Sequence, residues 1–278
     1  LETSDGAGVK LRRSLGSRAD LRLDPFLMLD EFGTENPDDY IAGFPSHPHR
    51  GFTTVTYMLD GHMQHRDHLG NVGNLGPGGV QWMNAAHGVI HSEMPQQDHG
   101  RMRGFQLWLN LPAAEKMQPA NYRDLAPSDI PVVELPQGGH VKVIAGTAVT
   151  DGARTRGPIN DAAHPVSTDP LYLDVTLAAG ERFTHPVATG YNAMAYVYEG
   201  SATAGSNGYP LAPHSAGIFA RDGDRLSITA EDEELRFLLL AGKPIGEAIA
   251  QYGPFVMNTR EELEQAIRDY QGGVLVSA

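Results

Sequence analysis

Apolar residues in this chain come in short runs, and nearly every run is closed by glycine or proline. Gly is 32 and Pro 19 of 278 residues. The run Phe52 to Leu59 is rich in Thr, Val and Tyr. Similar runs are Val80 to Met83, Phe105 to Leu111, Val141 to Ile144, Leu171 to Leu177, Tyr191 to Tyr198, Leu226 to Thr229 and Leu235 to Leu240. Short β-branched and aromatic segments between turn residues predict many strands in sandwiches or barrels, an all-β chain. Hydrophobic residues are 41% of the chain, enough for a sizeable core. One segment breaks the pattern. Thr259 and Glu262 have capping-box spacing, Leu263, Ala266, Ile267 and Tyr270 follow at helical intervals, and Gly272 stands where a helix would end. A helix is expected at about 259–271, packed through its apolar stripe.

The chain also repeats itself. His47-Pro48 returns as His185-Pro186, and Tyr57 to Gly61 returns as Tyr196 to Gly200. Leu75-Gly76-Pro77 matches Leu211-Ala212-Pro213, and Phe105-Gln106-Leu107 matches Phe237-Leu238-Leu239. The offsets are 138, 139, 136 and 132, so order and spacing survive. Two related β domains are expected, residues 1–135 and 136–278, with the boundary in the Pro-rich stretch from Pro112 to Pro136 and the helix at the end of the second.

Charge and composition exclude several functions. Lys plus Arg is 21 against 34 for Asp plus Glu, a net charge of −13. That disfavours direct binding of nucleic acid or of an anionic membrane. No run of 18 apolar residues is present, and Leu1 to Lys10 lacks the apolar core of a signal peptide, so a cytoplasmic location is expected. With no cysteine, thiolate metal sites, disulfides and cysteine nucleophiles are excluded. Any metal must be held by His, Asp or Glu.

Eight of the twelve histidines lie between 47 and 99, where an even spread would put about two. Two spacings stand out, His47-x-His49 and His91-x-Glu93. Residues i and i+2 of a strand share a face, so two strands would aim three imidazoles and a carboxylate at one interior point. Such a donor set admits Fe(II), Mn, Co, Ni, Cu or Zn. Chance is the competing explanation, because a lone His-x-His is common.

At these residues the chain resembles the pirin family of the cupin superfamily. The resemblance is carried by His47-Pro48-His49-Arg50-Gly51-Phe52, Thr54 to Tyr57, Leu23 to Gly33, Gln81-Trp82-Met83, His91 to Pro95 and Tyr252 to Asn258. It runs from about residue 10 to about 273. It implies two cupin barrels face to face with a C-terminal helix. It implies one metal, usually iron, held by His47, His49, His91 and Glu93, and hence Fe(II) as the first expectation. The second half has Val187 where the first has His49, and no His-x-Glu follows, so one metal per chain is expected. His185 and His214 alone would make a poor site.

Thr53 stands where many relatives carry a Glu. His87 is expected in its loop rather than in the metal pocket. His65 and Asp67 could order the barrel mouth, but a solvated pair is preferred. His62, His68 and His99 are expected at the surface. The glycines from Gly73 to Gly79 read as a turn and not a nucleotide cradle. Ser92, between two ligands, should face away from them. Lys10, Arg12, Arg13 and Arg18 read as a solvated basic cluster. Trp82, Trp108, Met28, Met58, Met83 and Met94 are expected to fill the core.

The resemblance further implies a flavonol 2,3-dioxygenase (quercetinase) activity, with a flavonol-like aromatic substrate, O₂, and Glu93 as the base that takes the substrate's hydroxyl proton. The alternative it offers is an iron-dependent redox sensor that binds a protein partner, either as a transcriptional cofactor or as a regulator of a metabolic enzyme.

Overall fold

The computed structural model describes residues 1–17 and 21–276. By contacts the chain falls into two units, one of residues 1–127 together with the segment from Ile245 onward, the other Ser128–Pro244. The strands of the first are Glu2–Asp5 (β1), Val9–Leu15 (β2), Phe26–Thr34 (β3), Phe44–His49 (β4), Phe52–Asp60 (β5), Met63–Asp67 (β6), Val72–Leu75 (β7), Val80–Asn84 (β8), Val89–Pro95 (β9), Met102–Asn110 (β10) and Asn121–Leu125 (β11). They form a seven-stranded sheet ordered β1-β2-β3-β10-β5-β8-β11 and a four-stranded sheet ordered β4-β9-β6-β7.

The second unit contains Val132–Glu134 (β12), Gly139–Ala145 (β13), Thr147–Thr150 (β14), Ala153–Arg156 (β15), Leu171–Leu177 (β16), Arg182–Pro186 (β17), Asn192–Glu199 (β18), Ala202–Ala204 (β19), Tyr209–Leu211 (β20), Ser215–Ile218 (β21), Arg225–Ala230 (β22) and Leu235–Gly242 (β23). Its sheets are ordered β12-β13-β16-β23-β18-β21 and β17-β22-β19-β20, with β14 and β15 as a separate hairpin. The run β3-β10-β5-β8 of the first unit reappears as β16-β23-β18-β21, and β4-β9-β6-β7 as β17-β22-β19-β20. The loose sequence repeat is therefore one double-sheet jelly roll used twice, the cupin fold.

Strand chemistry follows position. β5 lies between β10 and β8 and is buried on both faces through Met58, which suits its Thr, Val and Tyr content. β4 is the edge of its sheet, where the missing N–H groups of Pro45 and Pro48 are tolerated.

After the second unit the chain forms Ala250–Tyr252 (β24), Phe255–Met257 (β25) and the helix Arg260–Gln271 (α1). The capping box is present, with Glu262 N–H donating to Thr259 Oγ1 and the Glu262 carboxylate accepting from the Thr259 N–H. The helix buries Ala266 against Phe255 and Leu275. By contacts the helix groups with the first unit, whereas the single division expected near residue 135 put it with the second. The segment from Ile245 contacts the first unit at several points, among them Arg50. The buried Arg50 guanidinium donates to the His87 carbonyl, to Asp269 of α1 at 2.7 Å and to the Leu275 carbonyl at 3.2 Å. Among the described residues no helix is long and apolar enough to cross a membrane.

Candidate metal centre

β4 and β9 pair antiparallel with His47 opposite His91, and His49 follows on the same face of β4. This register brings three imidazoles together. His47 Nε2 lies 2.9 Å from His49 Nε2 and 3.0 Å from His91 Nε2. Among the described residues they are the one group of three or more His, Cys, Asp or Glu whose ligand atoms all fall within 4.8 Å of one another. His49 and His91 are each 2% exposed.

The electrostatics favour neutral rings at His49 and His91. Burial, and then the neighbouring imidazoles, push His49 and His91 well below the ordinary imidazole range. Neutral imidazole is the metal-binding form. The His47 Nδ1–H donates to the Pro45 carbonyl at 2.8 Å, which leaves its Nε2 lone pair free. Two rings then point at one lone pair, which can accept from only one of them. A divalent cation among the three Nε2 atoms would use every lone pair, so the residues present fit such an ion.

Glu93 is buried at 3% exposure but lies outside this group. Its Oε2 accepts from Gln106 Nε2 at 3.2 Å. The Thr56 hydroxyl, with one proton, is 2.8 Å from Glu93 Oε1 and 2.8 Å from Gln106 Oε1. The structure thus brings together the three expected histidines and sets the expected carboxylate beside them, held by two residues that carried no signal in the sequence.

A cavity of about 860 Å³ opens over the centre. His47, His49 and Glu93 reach it, and Phe26, Met28, Phe44 and Trp108 wall it. Trp108 stands edge-on to His49 with ring centroids 5.5 Å apart, and Phe52 packs on Trp108 at 4.4 Å. Trp108 and Met28 are therefore cavity residues rather than pure core, whereas Trp82, Met58 and Met83 are buried as expected. Met94 is half-buried.

His65 departs most from its expected place. It is 1% exposed, not solvated, and its ring lies 4.9 Å from that of His91. With Met63 it lies on the buried face of β6, although Gln64, Arg66 and Asp67 beside it are polar. Its companion Asp67 instead organises a turn, accepting from the Leu69 and Asn71 N–H groups. His68 is half-buried rather than at the surface, while His62 and His99 are exposed. His87 stays in its loop, and Thr53 is buried opposite Leu109 and Asn84, away from the converging imidazoles. Lys10, Arg12 and Arg13 are ion-paired with Asp39, Glu2 and Asp30, and Arg18 lies outside the described residues.

Among the described residues the equivalent place in the second unit holds no such group. His185 is buried and its Nε2 accepts the Val149 N–H at 3.1 Å. Leu226 faces it across the strand pair where His91 faces His47, and Ile228 follows where Glu93 would. Both belong to an apolar core.

Two jelly-roll repeats with a candidate metal centre in one of them define a bicupin. Comparison with known proteins carries the assignment further. The family descriptions Pirin and Pirin C-terminal cupin domain match residues 8–109 and 172–276. The chain belongs to the pirin family. A Pseudomonas aeruginosa protein provisionally named a quercetin 2,3-dioxygenase is 55% identical over 98% of this chain and 94% of its own. A quercetin 2,3-dioxygenase from Acinetobacter baumannii, solved as a crystal structure, matches with a TM-score of 0.88 at 34% identity, covering 100% of this chain and 95% of that one. A bacterial pirin from Escherichia coli, solved in complex with nickel(II), shares the fold with a TM-score of 0.66 at 19% identity, over 88% and 95% of the two chains.

Proposed function

We propose that this chain is a metal-dependent dioxygenase that opens the central ring of a flavonol-like aromatic substrate with O₂. His47, His49 and His91 hold a single divalent metal, with Glu93 as fourth ligand and base, and Fe(II) is the preferred ion. The observation that carries the reading is the convergence of three imidazole nitrogens, those of His49 and His91 buried, beneath a cavity with an aromatic wall. About 860 Å³ is a volume typical of small-molecule sites. The names of the Pseudomonas and Acinetobacter relatives support the same chemistry.

When bound, the metal supplies a Lewis acid that lowers the pKa of a coordinating hydroxyl and a redox centre for reaction with O₂. The chain's own residues do the rest. A Glu93 carboxylate oxygen takes the hydroxyl proton. Thr56 and Gln106 keep that carboxylate oriented, and Phe26, Phe44 and Trp108 seat the flat substrate and exclude water. The reading predicts that Glu93→Gln retains the fold and loses oxygen uptake with quercetin by more than about a hundredfold, the scale of lost general-base catalysis. Undiminished uptake with metal still bound would reject Glu93 as the base.

A further inference from the structure

Beside the three imidazoles, a further buried histidine of the first unit, His65, is left unexplained. Neither ring nitrogen of His65 has a hydrogen-bond partner in the protein. A neutral imidazole carries one donor and one acceptor, and leaving either unpaired in the interior forfeits its hydration without compensation. Such a group needs a reason to be kept.

Its surroundings supply one. On the β6–β9 pair His65 lies directly opposite Glu93. Residues so placed project to one face with Cβ atoms about 4.5–5.5 Å apart. The His65 ring leans edge-on against His91 and, at 5.7 Å, against Tyr122. On its other flank it pairs with Gly73, where a Cβ would stand 2.3 Å from Asp124 Oδ2. A side chain there would have to displace the Asp124 carboxylate. His65 thus faces the Glu93 position and its ring touches that of His91, while the Glu93 carboxylate itself is turned to Thr56 and Gln106.

We propose that His65 is a positioning residue for Glu93, donating a ring N–H to the carboxylate when it turns from Thr56 and Gln106 toward the imidazoles. The inference rests on the reading of Glu93 as the fourth ligand. It gives the unpaired donor of His65 an acceptor and gives Glu93 a hydrogen-bonded support in each of two settings.

The test uses the whole chain and Ni(II) alone, with affinity read by competition against a chelator. His65→Met removes the donor, and His65→Phe is a second donor-free variant if the first does not fold. The expected result is Ni(II) affinity lower by tenfold or more, roughly the effect of losing a group that orients a ligand. The metal-free melting temperature should hold or rise, because the apolar side chain needs no partner. His65→Gln, which keeps an N–H donor, should recover most of the affinity. In a Glu93→Gln background, removing the donor should change affinity by less than about twofold. Wild-type affinity in both donor-free variants, or the same loss with and without Glu93, overturns the proposal. Wild-type affinity in Glu93→Gln alone removes Glu93 from the ligand set and so defeats the underlying reading as well.

Discussion

Lys116 shows how single residues hold the floor of the first unit together. Its ammonium is buried at 1% exposure and donates to the Gly51 carbonyl at 2.7 Å, Asn110 Oδ1 at 2.6 Å and the Val256 carbonyl at 2.9 Å. Replacement by Met would strand three buried acceptors, and a loss of about 2–4 kcal/mol is expected in chemical denaturation. Burial pushes the Lys116 pKa down to about 8. In the unfolded chain it returns to about 10.4. Between those values the unfolded state holds a proton the folded state has released, so this group's contribution to stability rises with pH. The wild-type advantage over Lys116→Met should therefore grow from about pH 8 to about pH 10.4, and a flat difference across that window would contradict the assignment. At the centre itself, His49→Ala removes one of three nitrogen donors. It should weaken metal binding by more than about a hundredfold, measured by chelator competition. The three histidines were legible because His-x-His and His-x-Glu spacing is a property of one strand. His65 was not, because Gln64, Arg66 and Asp67 around it are polar and its burial comes from β9 and β7, far along the chain.

Among the elements, the turn after β4 carries the tightest backbone approach. Gly51 has a φ of +92°, and a Cβ there would come within 1.9 Å of the Val256 carbonyl. Gly51→Ala should cost roughly 3 kcal/mol or more, from left-handed strain plus the displaced β25 strand, read as a lowered melting temperature. The helix α1 was readable from Thr259 to Gly272, since capping and amphipathic spacing are local. Where the helix packs was not readable. Its seat depends on Arg50, 219 positions away from its partner Asp269, and no local pattern encodes a contact of that range. Arg50→Leu should leave the jelly roll folded while raising hydrogen exchange in α1, and unchanged protection of α1 would remove Arg50 as its anchor.

The whole molecule is one β topology used twice with opposite fates. The repeat was visible in the sequence through His-Pro and Tyr-to-Gly segments at nearly constant offset, and the two units share strand order. In the first, His91 faces His47 beneath a cavity; in the second, Leu226 faces His185 inside an apolar core. Metal should accordingly bind as one ion per chain and raise the melting temperature of the wild type, by stabilising the folded state alone, but not that of His49→Ala. The most direct test of the account loads the protein anaerobically with Fe(II), adds quercetin and then air, and follows the flavonol absorbance and oxygen together. The account predicts stoichiometric oxygen consumption as the flavonol band disappears, with both abolished in His49→Ala. A fully loaded protein that binds its metal at these histidines yet consumes no oxygen with any flavonol would contradict it.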